Sequence, residues 1–342
     1  MIQIEIGKNE QGQRLDKFLR KYLPGAPLSR VYRTLRKDVK VNGKRKGGEY
    51  VLEEGDTLSL YLSDAELSDF RKQKEHHRVR RTFQVCYEDD DILIAGKPAG
   101  LLTHGDGREK RNHLTNQVID YLIETGGYDP RAEKTFVPAP VNRLDRNTSG
   151  LVIFCRNYPA LQCFNELIRE NRGIRKYYLT ILMGRLNHEL MLRGRMEKDE
   201  AHNRTRVVRE DGEGRMMLTR IRPLLTKHYG PYDWTLAEVE ITTGRTHQIR
   251  AQAQAAGYPV IGDSKYGDPA EVRFVSETFG LTTQLLHAYR LVFEGMPPDY
   301  QRLEGKTVIM KVPARFRKIA GELFGPDGFR AAERGLYGKS DE

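Results

Sequence analysis

Several stretches of the chain after Thr82 alternate apolar and polar residues, which is the pattern of half-buried β-strands. Two clear examples are the segments FQVCYEDDDILI and DWTLAEVEI. Helical periodicity appears between such stretches, notably at residues 113–124 and 158–170. Strands with one polar face, interspersed with helices, predict an α+β fold built on a mixed, mainly antiparallel sheet.

The first 62 residues predict a separate small unit. In RLDKFLRKYL four apolar residues share one helix face at the spacing i, i+3, i+4, i+7: Leu15, Phe18, Leu19 and Tyr22. Proline and glycine at 24–27 end that helix, and we expect Ser29 to cap a second one. The segment VKVNGKRK then predicts a tight hairpin turn at Asn42 and Gly43, followed by a closing strand near residue 60.

Most of the net charge of the protein lies in this unit. The whole chain carries +10, and between residues 12 and 50 twelve Lys and Arg oppose three acidic residues, a net charge of +9. Basic side chains release counterions from phosphate backbones, so this polarity favours RNA as a partner, with generic solubility as the alternative. The residues that we expect to contact RNA are Arg14, Lys17, Arg30, Arg33, Arg36, Lys37, Lys44 and Arg45.

Two short helices and small strands, with the charge on a helix and a hairpin, resemble the alpha-L RNA-binding module first known from a ribosomal protein, the S-four type. The resemblance covers Arg14 to Leu62 and rests on helical periodicity and the VNG turn. A generic basic mini-domain is the alternative. The resemblance implies an RNA-binding domain over residues 1–62 that makes phosphate contacts.

A charged loop precedes the apolar run LVIF at 151–154, which predicts a buried strand. Asp145 lies in this loop between Arg143 and Arg146. Arginines close to a carboxylate favour its ionised form, and a fixed, ionised carboxylate suits nucleophilic catalysis. A plain ion pair in a turn would leave the same pattern, so the segment by itself leaves both interpretations open.

The segment RLDRNTSGL resembles the hallmark motif of the RluA-type pseudouridine synthases, in which the aspartate is the catalytic residue. Four more segments are similar to motifs of that family and follow its order along residues 83–312: GKPAGLLTH, RKYYLTILMGR, GRTHQIR and QLLHAYRLVF. The resemblance implies a catalytic domain over 82–325 that isomerises uridine to pseudouridine in RNA without a cofactor.

The resemblance also implies roles for individual side chains. Tyr178 would pack on the target base, Arg250 would pair with Asp145, Arg143 would support the site, and Lys97 would lie near its outer wall. The target uridine would be extruded from its stack. The aspartate would then break the glycosidic bond by attack on the base, by attack on the sugar, or by removal of a ribose proton, and the sequence leaves these routes open.

Two positions depart from the family pattern. Asn142 and Gln252 stand where the family commonly has histidine. Asparagine both donates and accepts hydrogen bonds, so we expect activity to be kept. The departures bear on the choice of RNA more than on the reaction. His247, within the GRTHQIR motif, is expected to be structural.

The remaining stretches set limits on organisation. Residues 63–81 are charged without apolar periodicity and predict a linker, and 326–342 predict a polar C-terminal tail.

The chain has three cysteines, and no two of them stand at a metal-ligand spacing: Cys86, Cys155 and Cys163. It also has no P-loop or G-x-G-x-x-G fingerprint, so we expect neither metal nor cofactor. There is no signal pattern and no apolar run of ~20 residues, which predicts a cytoplasmic protein without membrane attachment. No spare apolar helix face is evident, which favours a monomer.

These patterns together predict a pseudouridine synthase that modifies 23S ribosomal RNA, because in this family the N-terminal module is typical of large-subunit enzymes. The alternatives are a transfer RNA pseudouridine synthase and a non-catalytic RNA-binding protein of ribosome assembly. A hydrolase that uses the aspartate with His104 or His287 is a further alternative, although no motif pairs either histidine with a nucleophile.

Overall fold

The N-terminal unit folds around the apolar face of its first helix, as the periodicity predicts. Its elements are β1 (Ile2–Glu5), α1 (Leu15–Tyr22), α2 (Leu28–Arg33) with a π-helical continuation (Thr34–Asp38), β2 (Val39–Val41) and β3 (Thr57–Leu60). The four apolar residues of α1 are all buried. The strands form an antiparallel sheet in the order β1-β3-β2. The computed structural model describes residues 1–71, 78–199, 204–208 and 212–337.

The predicted turn at Asn42 and Gly43 is confirmed. Both residues have left-handed backbone, with φ of 50° and 75°. Val41 and Lys44 exchange backbone hydrogen bonds of 2.8 and 2.9 Å across it. The residues that follow Lys44 do not form a second strand of a hairpin. Strand β2 pairs with β3 instead. Ser29 is not a cap, since α2 begins one residue earlier, at Leu28.

The prediction of an extended linker is wrong for the residues that follow Leu62. Helix α3 (Asp64–Phe70) begins with a capping box, in which the Ser63 hydroxyl accepts from the Glu66 N–H and the Glu66 carboxylate accepts from the Ser63 N–H. The S-x-x-E signature was available in the sequence. The Phe70 carbonyl accepts from the Gly25 N–H at 2.8 Å, so α3 packs on the N-terminal unit. Residues 72–77 lie outside the described residues.

The larger domain contains one mixed sheet. Its strands are β4 (Gln84–Glu88), β5 (Ile92–Lys97), β6 (Ala139–Pro140), β7 (Ser149–Cys155), β8 (Ile174–Met183), β9 (Leu190–Asp199), β10 (Arg204–Val208), β11 (Arg215–Tyr229), β12 (Tyr232–Ile241), β13 (Leu286–Phe293) and β14 (Thr307–Ile309). The order is β10-β9-β11-β12-β8-β13-β7-β5-β4, with β14 added to β13 and β6 added to β7. Among the described strands only the β7–β13 pair is parallel. The predicted fold class is therefore confirmed.

Helices cover both faces of this sheet. They are α4 (Leu114–Glu124), α5 (Tyr158–Glu170), α6 (Gln248–Ala255), α7 (Pro269–Phe279), α8 (Ala314–Phe324) and α9 (Pro326–Tyr337), with a 3₁₀ turn at Pro298–Leu303. Strand β8 alternates between two cores: Tyr178 and Leu182 face the core that includes α4 and α6, and Leu179 faces the core that includes α8 and α9. None of the helices in the described ranges is long and apolar enough to cross a membrane.

The prediction of a polar C-terminal tail is wrong for residues 326–337. This segment is the amphipathic helix α9, whose Phe329 and Leu336 are buried against the sheet core. Residues 338–342 lie outside the described residues.

Gly150 lies at the start of β7, just after the loop that carries Asp145, and allows β7 to pair closely with β13. It pairs with Ala288 at the parallel β7–β13 junction and has a φ of 123°. A Cβ at this position would lie 2.2 Å from the Ala288 carbonyl oxygen. The glycine of the RLDRNTSGL motif is thus required by close backbone packing and by its backbone conformation.

Polar contacts join the N-terminal unit to the larger domain. The Asn9 amide donates to Glu133 at 2.9 Å and accepts from the Tyr158 N–H, at the start of α5, at 3.0 Å. Gln13 donates to the Thr135 hydroxyl at 3.1 Å.

Candidate active site

Asp145 lies in the loop between β6 and β7, and this loop is fixed through its backbone. The Thr103 hydroxyl donates to the Leu144 carbonyl at 3.1 Å and accepts from the Leu144 N–H at 3.2 Å. The Asp145 carbonyl accepts from the Thr148 N–H at 3.1 Å. These bonds hold the carboxylate in one position relative to the sheet.

Lys97 ties the same loop to the segment after β5. Its ammonium donates to the carbonyls of Pro98 (3.0 Å), Leu101 (2.7 Å) and Arg146 (3.0 Å), so all three of its N–H groups have an acceptor. Burial lowers the pKa of Lys97 to about 7, against the opposing charge of Asp145. The expectation that Lys97 lies near the outer wall is wrong, because the residue is fully buried behind the loop.

Arg250, on α6, bridges two carboxylates. Its Nη1 donates to Asp145 Oδ2 at 2.8 Å, which is the predicted pairing, and its Nε and Nη2 donate to Asp263 at 2.6 and 2.9 Å. Burial alone would lower the pKa of Arg250, but the hydrogen bonds and charges of Asp263 and Asp145 raise it above its usual value. The Asp145 side chain is 20% exposed, whereas Arg250 is 7% exposed and Asp263 is fully buried. Asp145 is therefore the solvent-accessible member of an ion-pair network whose other members, Arg250 and Asp263, are buried.

The arginines that flank Asp145 in sequence do not pair with it. No ion pair joins Asp145 to Arg143 or Arg146 in the described part of the chain, and Arg146 instead donates to the Gly100 carbonyl at 3.1 Å. Arg143 is exposed and lines the cavities on both sides of Asp145. The cation that balances Asp145 is thus Arg250, and the expectation drawn from the two neighbours was wrong.

Tyr178 lies on β8 and lines the same cavity as Asp145. The residue is buried. Burial raises the pKa of its phenol well above the usual value, and the charge of Asp145 acts in the same direction. The phenol therefore stays protonated and offers a flat, neutral ring to a ligand in the cavity.

Asp145 lies where two cavities meet. The first, of about 310 Å³, combines apolar and aromatic lining with three Lys and Arg side chains, and its lining includes Tyr178, Ile241, Arg143, Lys176 and Arg245. The second, of about 470 Å³, is rich in polar and basic side chains, among them Arg143, Arg146, His247 and Lys265. Both volumes fall within the range of about 300–1,000 Å³ that is usual for ligand pockets. One cavity suits an aromatic ring and the other suits phosphate.

Sequence reasoning missed two members of this site. Asp263 lies in a turn 13 residues after Arg250, and no local spacing identifies it. His247 was expected to be structural, yet its Nε2 lies 3.9 Å from Asp145 Oδ2, and its Nδ1 lies 3.0 Å from the Tyr266 hydroxyl. Burial lowers the pKa of His247, against the charge of Asp145. Its backbone is left-handed, with a φ of 54°.

The two positions that depart from the family pattern have structural contacts. Asn142 accepts from the Ile153 N–H at 2.8 Å, which ties the loop to β7. Gln252 is buried, accepts from the Thr219 hydroxyl at 2.6 Å and donates to the Leu192 carbonyl at 3.1 Å. Within the described ranges, neither residue hydrogen-bonds to Asp145.

The histidines of the hydrolase alternative have other partners. His287 lies between the Ser149 hydroxyl (2.8 Å) and the Met310 carbonyl (3.0 Å), and burial lowers its pKa to about 4. His104 Nδ1 lies 3.3 Å from the Thr115 hydroxyl. Across the described residues, no group of three His, Cys, Asp or Glu side chains is arranged to hold a metal ion.

The basic surface of the N-terminal unit is largely free for a partner. Seven of the eight cations that we expected to contact RNA are exposed: Arg14, Lys17, Arg33, Arg36, Lys37, Lys44 and Arg45. Of these, Arg14 also pairs with Asp16 at 2.9 Å. The expectation that Arg30 contacts RNA is corrected, because its guanidinium pairs with Asp38 at 2.6 Å and with Glu66 at 2.8 Å. Arg30 is thus a structural residue that joins α2 to α3.

Comparison of the sequence with known proteins identifies the family of this chain. The family model described as RNA pseudouridylate synthase matches residues 91–255. Ribosomal large subunit pseudouridine synthase C of Escherichia coli (strain K12) is 36% identical over 295 residues, which cover 85% of this chain and 88% of that protein. The protein of the same name from Vibrio cholerae is 32% identical over 307 residues, 88% of this chain and 91% of that protein.

Solved structures agree at the level of the fold. Human RNA pseudouridylate synthase domain containing 1 aligns with a TM-score of 0.51 and 20% identity, covering 68% of this chain and 83% of that chain. Human RNA pseudouridylate synthase domain containing 4 aligns with a TM-score of 0.52 and 19% identity, covering 70% and 92%. Because relatives above 30% identity match most of this chain and most of their own length, and the family model also matches, the chain belongs to the RNA pseudouridine synthase family and is an enzyme of the RluA type.

Proposed function

We propose that this enzyme isomerises specific uridines in large-subunit (23S) ribosomal RNA, with Asp145 as its catalytic residue. The observation that carries the proposal is the accessible Asp145 carboxylate, held by buried Arg250 at the junction of an aromatic and a basic cavity. The target is supported by relatives that match most of this chain and are named ribosomal large subunit pseudouridine synthases.

The base of the flipped nucleotide binds in the first cavity, and the phosphates next to it bind in the second. The uracil enters the first cavity and stacks on Tyr178, which contributes roughly 1–3 kcal/mol for a base on an aromatic ring. The adjoining phosphates lie in the second cavity near Arg143 and Arg146. Because the phenol of Tyr178 is protonated, we assign it to stacking rather than to removal of the proton from carbon 5.

The reaction needs one carboxylate and no net redox change. The bond from ribose C1′ to uracil N1 breaks, a bond from C1′ to C5 forms, and the proton on C5 moves to N1 through solvent. Asp145 starts this exchange by acting on the base, on C1′ or on a ribose proton. In each route Arg250 holds the carboxylate in place through its hydrogen bond and ion pair.

Mapping of pseudouridines in a strain that lacks the gene, against its parent, tests the target. We expect one or more pseudouridines to be missing from large-subunit ribosomal RNA and restored by the wild-type gene. Unchanged ribosomal RNA, with pseudouridine missing from transfer RNA instead, would show that the proposed target is wrong.

We also propose that the N-terminal unit is an S-four-like RNA-binding domain, as its exposed cations support. Replacing Arg33, Arg36 and Lys37 by Gln should weaken RNA binding and reduce its salt dependence. Each lost phosphate contact removes about 0.7–0.9 from the slope of log affinity against log salt, so three contacts remove about 2 to 3. Fluorescence anisotropy at several salt concentrations measures both quantities.

A matched triple variant of exposed cations on the larger domain is the control: Arg169→Gln, Lys318→Gln and Arg330→Gln. It removes the same charge but should keep most of the slope. Equal slopes for the two triple variants would mean that the basic surface of the N-terminal unit acts only through net charge.

A further inference from the structure

Lys176 lines the first cavity together with Tyr178 and Asp145. Lys176 and Tyr178 are two residues apart on β8, so their side chains point to the same face of the strand. The lysine is only 5% exposed. A buried cation thus faces the space that the target base would occupy.

This ammonium has few acceptors in the protein. Its hydrogen bond within the described residues is to the Thr242 carbonyl, at a long 3.4 Å. The comparison with Lys97 is direct, because that buried ammonium has a carbonyl for each of its three N–H groups. Buried charges are normally paired or fully hydrogen-bonded, so the open donors of Lys176 indicate an acceptor that arrives with the substrate.

The surroundings favour a ligand that gains negative charge. Arg245 lines the same cavity, and burial together with its charge lowers the pKa of Lys176 to about 8. The acidic residue that lines this cavity is Asp145. An electron-rich group beside Lys176 would be stabilised by two cations.

We propose that Lys176 donates a hydrogen bond to a carbonyl oxygen of the target uracil and stabilises the negative charge that the base gains when its glycosidic bond breaks. The proposal rests on the proposed function of this site. When N1 leaves C1′ with the bonding electrons, the charge is shared by N1, O2 and O4. C1′ is left electron-deficient until C5 of the base attacks it and forms the new bond. Loss of the C5 proton to solvent and uptake of a proton by N1 then complete the isomerisation.

The same lysine serves both halves of the reaction. Carbon 5 takes the place of N1 when the uracil turns by half a rotation about the axis through N3 and C6. That rotation exchanges O2 and O4, so a carbonyl oxygen occupies the same position before and after the turn. The three donors of an ammonium group, on a flexible side chain, suit an acceptor that is exchanged in this way.

A carbonyl is favoured over a phosphate by position. Lys176 is buried on the wall that carries Tyr178 and Ile241, whereas the exposed Arg143 and Arg146 both line the second cavity, and Arg143 reaches the first cavity as well. A phosphate contact would be expected to affect RNA affinity more than turnover.

The test compares Lys176→Met with the wild type on an RNA that the wild type modifies. We expect kcat to fall about 100-fold, as is typical when one preorganised donor to a developing anion is removed, with RNA affinity unchanged. Lys318→Met, on an exposed lysine of α8, is the control. A kcat within threefold of wild type, or lost affinity with kcat retained, would overturn the proposal.

A second variant separates chemistry from folding. Lys176→Ala leaves a space at the cavity wall, and added propylammonium should restore part of kcat, whereas propanol, which has the same length, should not. Equal effects of the amine and the alcohol would mean that Lys176 only fills space. A wild-type enzyme inactive on ribosomal RNA but active on another RNA would contradict the proposed target, and the comparison of variants on that second RNA would still decide the role of Lys176.

Discussion

Replacing Asp145 by Asn is expected to abolish pseudouridine formation while RNA binding stays normal. The amide has the shape of the carboxylate and can still accept a hydrogen bond from Arg250, and the loop is held through backbone groups that the change does not touch. An amide is neither a nucleophile nor a base under these conditions. We expect kcat to fall by at least about 10⁴-fold, as for the loss of an essential nucleophile.

Release of tritium from carbon 5 of labelled uridine in RNA measures this loss directly, because that proton leaves only when the new bond forms. Asp327→Asn, at a 95% exposed side chain on α9, is the matched control and should behave as wild type. Turnover that persists in protein whose mass shows an intact amide at position 145 would rule out Asp145 as the catalytic residue.

Local sequence patterns predicted the elements that depend on local physics. The apolar face of α1 and the bounds of α5 follow directly from helical periodicity, because burial of one stripe selects the helix. The errors at residues 63–70 and 326–337 have the same origin. Both helices carry many charges, which are typical of linkers and tails, and the helical signal is limited to the capping box at Ser63 and the apolar spacing of Phe329 and Leu336.

The site was predictable only as far as separate motifs could be joined. The pairing of Asp145 with Arg250 followed from the family motifs, although 105 residues separate the two. The buried partner Asp263 and the Thr103 hydroxyl left no signal, because each contact forms between segments that only the sheet topology brings together. Residue types identify candidates for chemistry, but second partners depend on tertiary packing.

Replacing Arg250 by Met should cost both stability and activity, for separable reasons. Asp263 is fully buried and would lose the guanidinium that neutralises it, and breaking a buried ion pair typically costs about 3–5 kcal/mol. Asp145 would lose its fixed cation as well. We therefore expect a lower midpoint in urea denaturation and a loss of pseudouridine formation.

The double variant Arg250→Met with Asp263→Asn distinguishes the two effects. The amide removes the unpaired buried charge, and its oxygen can still accept from the N–H groups of Lys265 and Tyr266, so much of the lost stability should return. Activity should not return, because Asp145 still lacks the cation that orients it. Recovery of turnover together with stability would show that Arg250 only supports the fold, whereas recovery of stability alone assigns it to the chemistry of Asp145.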